Sequence, residues 1–232
     1  QMLDVFAETF YAGLNSFVLL SIPMFILMGM AVANSPAGKD LYTGLDRWLW
    51  RVPGGLVISN IGACSIFAAL SGSSPATCAA IGTMGIPEMR KRGYSDQIAT
   101  GTIAAGGTLG VLIPPSIVLI VYGMATGTSI GRLFLAGVVP GFMLASLFAI
   151  WALIHSFFID KNASKLLRNR KPPTLKEKLE VLPRVFPFLA IIIGVLYVLY
   201  GGVATPSEAS GVGAFLVFVM IAVVYKIYQP KK

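Results

Sequence analysis

The sequence predicts an all-α integral membrane protein with a re-entrant helical hairpin and a discontinuous transmembrane helix. Three observations carry that expectation. Hydrophobic residues make up 56% of the 232 positions and charged residues only 12%, where a soluble domain is about one-quarter charged; mean hydropathy is +0.78. The charges are also clumped. Residues 9–38 and 52–87 carry none, Arg132 stands alone between Asp96 and Asp160, and Glu208 alone between Arg184 and Lys226. Uncharged runs of that length suit a hydrocarbon core about 30 Å thick. Finally, two of the runs are interrupted by clusters of Gly, Ser and Pro. This composition excludes a soluble enzyme, a nucleic-acid binder and a disordered chain.

Residues 1–51 read as a scaffold span followed by an interfacial arm. An amphipathic stretch over 4–14 leads into an apolar helix over 17–33, which Asn34-Ser35-Pro36-Ala37-Gly38 ends with breaker residues. Residues 41–51 are amphipathic, with Trp48 and Trp50 beside Arg47 and Arg51. Amphipathic rings at headgroup level with cations in the water are the chemistry of an interfacial anchor.

Residues 52–87 read as the hairpin. An apolar helix over 54–70 meets Ser71-Gly72-Ser73-Ser74, and Pro75 opens a second helix that ends near Ile86-Pro87. Proline suits a first helical turn, where its missing N–H would be unpaired anyway. At 1.5 Å per residue the second arm is about 18 Å long, short of a full crossing. Its tip therefore falls at residues 71–74.

Residues 88–129 hold a basic turn and a long apolar stretch broken within Gly106-Gly107-Thr108-Leu109-Gly110-Val111-Leu112-Ile113-Pro114-Pro115-Ser116. Adjacent prolines remove two backbone donors and disfavour helix before them. Residues 130–159 form one long span containing Pro140, residues 160–184 a basic loop, and residues 185–232 two further spans separated by 201–208.

The charges set the topology. If 52–87 re-enters, the segments 39–51, 88–96, 160–184 and the tail from Lys226 all lie on one side, with net charges of +1, +1, +5 and +3. The positive-inside rule then makes that side cytoplasmic. It also explains the overall net charge of +8 without nucleic acid. Cys64 and Cys78 lie in apolar segments away from the single histidine, His155, and read as packing residues. No metal or nucleophile cluster can be built from these parts. The chain begins at Gln1 with neither an initiating Met nor a signal peptide, so it reads as a fragment.

Non-helical backbone in hydrocarbon is tolerated only where it is buried in protein or lines a wet cavity. Set tip to break, residues 71–74 and 110–115 offer serine hydroxyls and freed carbonyl oxygens around one point. Hard oxygen ligands without a carboxylate suit a weakly held monovalent cation, Na⁺ above all. Broken helices with carbonyls on a coupling ion are a recurring design of secondary transporters.

Ser71-Gly72-Ser73-Ser74-Pro75-Ala76-Thr77, then Ala79-Ala80-Ile81-Gly82 and Ile86-Pro87-Glu88-Met89-Arg90-Lys91-Arg92-Gly93-Tyr94, resemble the first hairpin of the large membrane subunit of TRAP (tripartite ATP-independent periplasmic) transporters. Residues 106–116 resemble that family's discontinuous helix, and Thr205-Pro206-Ser207-Glu208-Ala209 its Thr-Pro-x-Glu-Ala stretch. The resemblance runs along essentially the whole chain and is to the N-terminal half of such a subunit.

It implies an inverted-repeat, elevator-type transporter half in the bacterial inner membrane. It further implies Na⁺-driven uptake of an organic acid delivered by a periplasmic binding protein, alongside a small transmembrane subunit. No cofactor is implied beyond Na⁺ as coupling ion. Carried over by motif, the Na⁺ ligands are Ser71 and Ser74 at the tip and the carbonyls of Gly110, Ile113 and Pro115 in the break. Ser73, Thr77 and Arg132 are candidates for the substrate, with membrane anchoring as the alternative role for Arg132. Glu208 reads as a first-turn carboxylate facing a helix dipole. The substrate stays open among C4-dicarboxylates, keto acids and sialic acid. The rival readings are a binding-protein-independent carboxylate carrier of the same architecture and a non-transporting scaffold subunit.

Overall fold

A computed structural model describes residues 2–52, 54–158 and 173–225. Ten α-helices lie in these residues: α1 Met2–Leu14, α2 Ser21–Ala33, α3 Pro36–Trp48, α4 Gly55–Ser71, α5 Ser74–Lys91, α6 Asp96–Leu112, α7 Ile117–Thr126, α8 Ile130–Phe158, α9 Leu175–Tyr200 and α10 Pro206–Tyr225. No strand occurs among the described residues. The all-α membrane expectation therefore stands. Asp96–Thr126, Ile130–His155 and Pro206–Tyr225 are each long and apolar enough to cross a membrane, and two bent pairs raise the number to five.

The caps follow from sequence. Ser35 accepts from the Ala37 amide ahead of α3, with Pro36 in its first turn. Ser95 does the same for α6. Thr174 and Glu177 close a reciprocal capping box on α9. Glu208 accepts from the Thr205 amide at 2.8 Å while its own amide donates to Thr205 Oγ1 at 3.4 Å. The Thr-Pro-Ser-Glu stretch is thus the capping box of α10, satisfying backbone donors that a helix start leaves orphaned.

α4 lies at the centre, packed along α5 and α6 and touched by α2, α3 and α8. Phe25 and Met28 of α2, Phe67 and Leu70 of α4, Ile81 of α5 and Leu109 of α6 are fully buried there. α8 turns Val139, Phe142, Met143 and Ile150 outward, as a helix against acyl chains would. Within a bilayer, helix association depends on close packing at small residues more than on hydrophobic driving force. Gly29 faces Ser71 and Gly106 faces Cys64 at distances that leave no room for a Cβ.

Three boundaries differ from the sequence expectations. The run Phe17–Ala33 is not one α-helix: a 3₁₀ turn, Phe17–Leu20, precedes α2, and the whole is bent by 48° from α1. α2 alone is only about 20 Å long. Ser21 Oγ donates to the Val18 carbonyl, which fixes the tighter turn.

The second arm of the hairpin does not stop at Pro87. α5 continues to Lys91, 18 residues or about 27 Å, because a proline near a helix end costs only one backbone bond. The stop is Gly93, in left-handed conformation, where the Tyr94 amide returns to the Met89 carbonyl. α5 therefore does not have to turn back for want of length, and the charges of the flanking loops are what favour re-entry.

α9 begins at Leu175, inside the expected 160–184 loop, and bends by 46° after Pro183. The remainder of that loop, up to residue 172, and the basic tail lie outside the described residues.

The arm α3 is tied to both neighbours. Arg92, just past α5, makes a two-pronged contact with Asp46 of α3 at 3.0 and 3.1 Å and a further contact with Glu88 at 2.6 Å. Burial disfavours the Arg92 charge, but hydrogen bonds and attraction from Asp46, then Glu88, outweigh it and raise the pKa above the usual arginine value.

Candidate functional site

The hairpin reverses in two residues. α4 ends at Ser71, Gly72 takes left-handed φ of +60°, and Ser73 caps α5. The turn is held by its own hydroxyls. Thr77 Oγ1 donates to the Ser73 carbonyl at 2.8 Å and lies 3.2 Å from Ser71 Oγ, and the Ser73 amide reaches Ser71 Oγ at 3.4 Å. Ser71 and Thr77 are fully buried.

The broken helix supplies the other half. α6 stops at Leu112, residues 113–116 are irregular with a cis Pro114–Pro115 bond, and α7 resumes at Ile117. In a continuous helix the carbonyls of Gly110 and Val111 would accept from positions 114 and 115. Both positions are proline and have no N–H. The Ile113 carbonyl would accept from Ile117, but the Ile117 amide donates instead to the Gly72 carbonyl of the hairpin tip, at 3.0 Å.

That bond joins the two interruptions. A Cβ on Gly72 would sit 2.5 Å from the Pro115 carbonyl oxygen, and one on Gly110 would sit 2.8 Å from the Ser74 nitrogen. Only glycine permits either approach. α8 closes the other side, with Gly141 against Ile113.

Two buried hydroxyls at this junction, Ser74 Oγ and Ser116 Oγ, have no hydrogen-bond partner among the described residues. Buried polar groups are nearly always paired, so these two hydroxyls keep hydrogen-bonding or ligating capacity that the fold itself does not use. Ser116 is fully buried and, although it stands at the N-cap of α7, its side chain makes no capping bond.

The structure thus brings Ser71, Ser73, Ser74 and Thr77 of the tip against Gly110 and Pro115 of the break, while the Ile113 side chain meets α8 at Gly141. It adds Ser116, and the break also leaves the Val111 carbonyl without its helical donor; the sequence reading named neither. The Val111 carbonyl follows from the double proline by counting four residues back. Ser116 had no such signal, since a serine before a helix ordinarily reads as its cap.

Arg132 is not brought to the junction. It is exposed in the first turn of α8, five residues before Gly137, where that helix reaches the Leu112 carbonyl.

Residues 1–232 match, end to end, the family described as the tripartite ATP-independent periplasmic transporter, DctM component. The chain belongs to this TRAP transporter family. It is 40% identical over 232 residues to the C4-dicarboxylate TRAP transporter large permease protein DctM of Vibrio cholerae, covering 99% of this chain and 49% of that protein. It is 36% identical to the isethionate TRAP transporter permease protein DctMQ of Oleidesulfovibrio alaskensis, across 92% of this chain and 33% of the relative. Against the ectoine TRAP transporter large permease protein TeaC of Halomonas elongata the identity is 32%, across 97% and 51%. The chain spans about half the length, or less, of these curated relatives. TRAP large permeases are transporters, and the apolar helices here agree with a multi-pass membrane protein of that kind.

Proposed function

We propose that this chain forms the first half of a Na⁺-coupled permease that takes up an organic acid handed over by a periplasmic binding protein, in the bacterial inner membrane and beside a small transmembrane subunit. The observation that carries the reading is the junction of hairpin tip and broken helix. It sets two hydroxyls without a partner among the described residues, Ser74 and Ser116, beside a break in which the helical donors of the Gly110, Val111 and Ile113 carbonyls are absent or diverted. The donor set is all oxygen and carries no carboxylate. Such a set favours a monovalent hard cation that must be both bound and released during transport.

Na⁺ would be held between two elements from separate parts of the chain, so its binding would draw tip and break together. Thr77, through its bonds to Ser73 and Ser71, would fix the tip hydroxyls in place. In this proposal 52–87 re-enters from the cytoplasmic side, and the hairpin and broken helix move together as an elevator against α3 and α9. The names of the relatives, which span a dicarboxylate, a sulfonate and ectoine, support a small charged solute as substrate.

The test is uptake by the full-length permease with its partner subunits in proteoliposomes. An inward Na⁺ gradient should drive accumulation that a proton or K⁺ gradient does not, and only with the binding protein present. Equal uptake without Na⁺ would overturn the coupling. Na⁺-driven uptake without the binding protein would favour an independent carrier of the same architecture.

A further inference from the structure

Away from the junction, α3 and α9 leave an apolar groove of about 310 Å³ between them. Leu41 and Leu45 form one wall, Val185 and Leu189 the other, and Ile66 of α4 the floor. It meets a second apolar groove of about 370 Å³ at Ile66 and Leu189, and that one reaches Ile113 and Pro114 of the break. The two make one apolar path from the end of α3 toward the middle of the bundle.

The mouth of the path has a different chemistry. Trp48, about half exposed, lines it, and Lys178 Nζ stands 5.8 Å from the centre of the Trp48 ring. Arg47 reaches across to the Glu177 carbonyl at 2.8 Å and so joins the two helices at the same level. Among the described residues, the nearby carboxylates are otherwise engaged or on another face. Glu177 accepts from the Thr174 amide, Asp46 is bound by Arg92, and Glu180 lies two residues from Lys178, on another face of α9. A narrow apolar slot with two cations and an indole at one end matches an acyl chain joined to a phosphate. A wholly apolar transmembrane helix of a partner would fill the slot but bring no anion to its mouth.

We propose that this groove binds one anionic glycerophospholipid, its chain between α3 and α9 and its phosphate at Lys178 and Arg47. The chain would extend toward Ile113 and Pro114 and so touch the back of the junction. Each basic group near an anionic headgroup contributes roughly fivefold to affinity.

The experiment uses the purified full-length permease, delipidated and titrated with phosphatidylglycerol or with phosphatidylcholine, and reads bound lipid by native mass spectrometry. The double variant Arg47→Gln/Lys178→Gln should weaken phosphatidylglycerol binding by roughly twenty- to thirtyfold and leave phosphatidylcholine unchanged. Lys178→Arg should keep most of the affinity. Leu182 also lines the groove, and Leu182→Trp, which fills it, should weaken both lipids. Unchanged phosphatidylglycerol binding in the double variant would overturn the proposal. So would a photo-crosslinker at position 182 that joins another polypeptide and no lipid.

Discussion

At Gly72 the left-handed backbone and the 2.5 Å approach of a Cβ to the Pro115 carbonyl oxygen act together. Gly72→Ala should therefore cost more than the about 1–2 kcal/mol of a left-handed alanine alone, seen as a lower unfolding temperature of the purified protein. Gly110→Ala has no such backbone penalty, because Gly110 is helical. Its Cβ meets the Ser74 nitrogen at 2.8 Å, so tip and break must separate. The expected outcome is a smaller loss of stability with a clear rise in the Na⁺ concentration needed for half-maximal uptake. A Gly110→Ala protein with unaltered Na⁺ dependence would show that the close approach has no part in ion binding. Thr77→Val should act in the same direction, since it removes two hydroxyl contacts at the tip while keeping shape. Thr77→Ser should restore function.

The elements show where sequence was informative and where it was not. Double proline and Ser-Gly-Ser-Ser mark interruptions whatever surrounds them, so the broken helix over α6 and α7 and the reversal between α4 and α5 were legible to within a few residues. Helix ends near single prolines were not. Pro87 sits in the last turns of α5, where losing one donor is tolerable, and the true stop is the left-handed Gly93. The 3₁₀ turn ahead of α2 depends on a local serine bond that periodicity does not reveal.

Long-range pairing was also out of reach, as Asp46 and Arg92 lie 46 residues apart. Asp46→Asn should destabilise the protein by about 1–3 kcal/mol, because it leaves a half-buried guanidinium with Glu88 alone. Adding Arg92→Gln should recover part of that loss. A thermal or chemical unfolding cycle with fully additive losses would mean that the arm–hairpin pair contributes nothing.

For the whole molecule the topology is the widest expectation still to be measured. The turn at residues 90–92 and the basic segment around residue 171 should share the cytoplasmic side. A cysteine at position 91 should then react with a membrane-impermeant reagent only from the cytoplasm. Labelling from the periplasm would mean that residues 52–87 cross the bilayer once, or that the positive-inside orientation is reversed. Fold class and family were legible because membrane spans are written in composition and breaks in Gly, Ser and Pro. The proposed ligand set was less so. It depends on which hydroxyls the folded chain leaves unpaired, and Ser116 becomes visible only once its capping role is seen to be vacant.

The central claim is that tip and break hold the coupling ion jointly, and the Na⁺ dependence of uptake by the complete transporter tests it most directly. Ser74→Ala and Ser116→Ala each remove one neutral oxygen without disturbing a helix. Each should raise the half-maximal Na⁺ concentration by roughly tenfold, with substrate affinity at fixed Na⁺ falling in parallel through linkage. If Ser71→Ala, Ser74→Ala and Ser116→Ala all fold and leave that Na⁺ concentration where it was, the junction is a packing contact and the ion binds elsewhere.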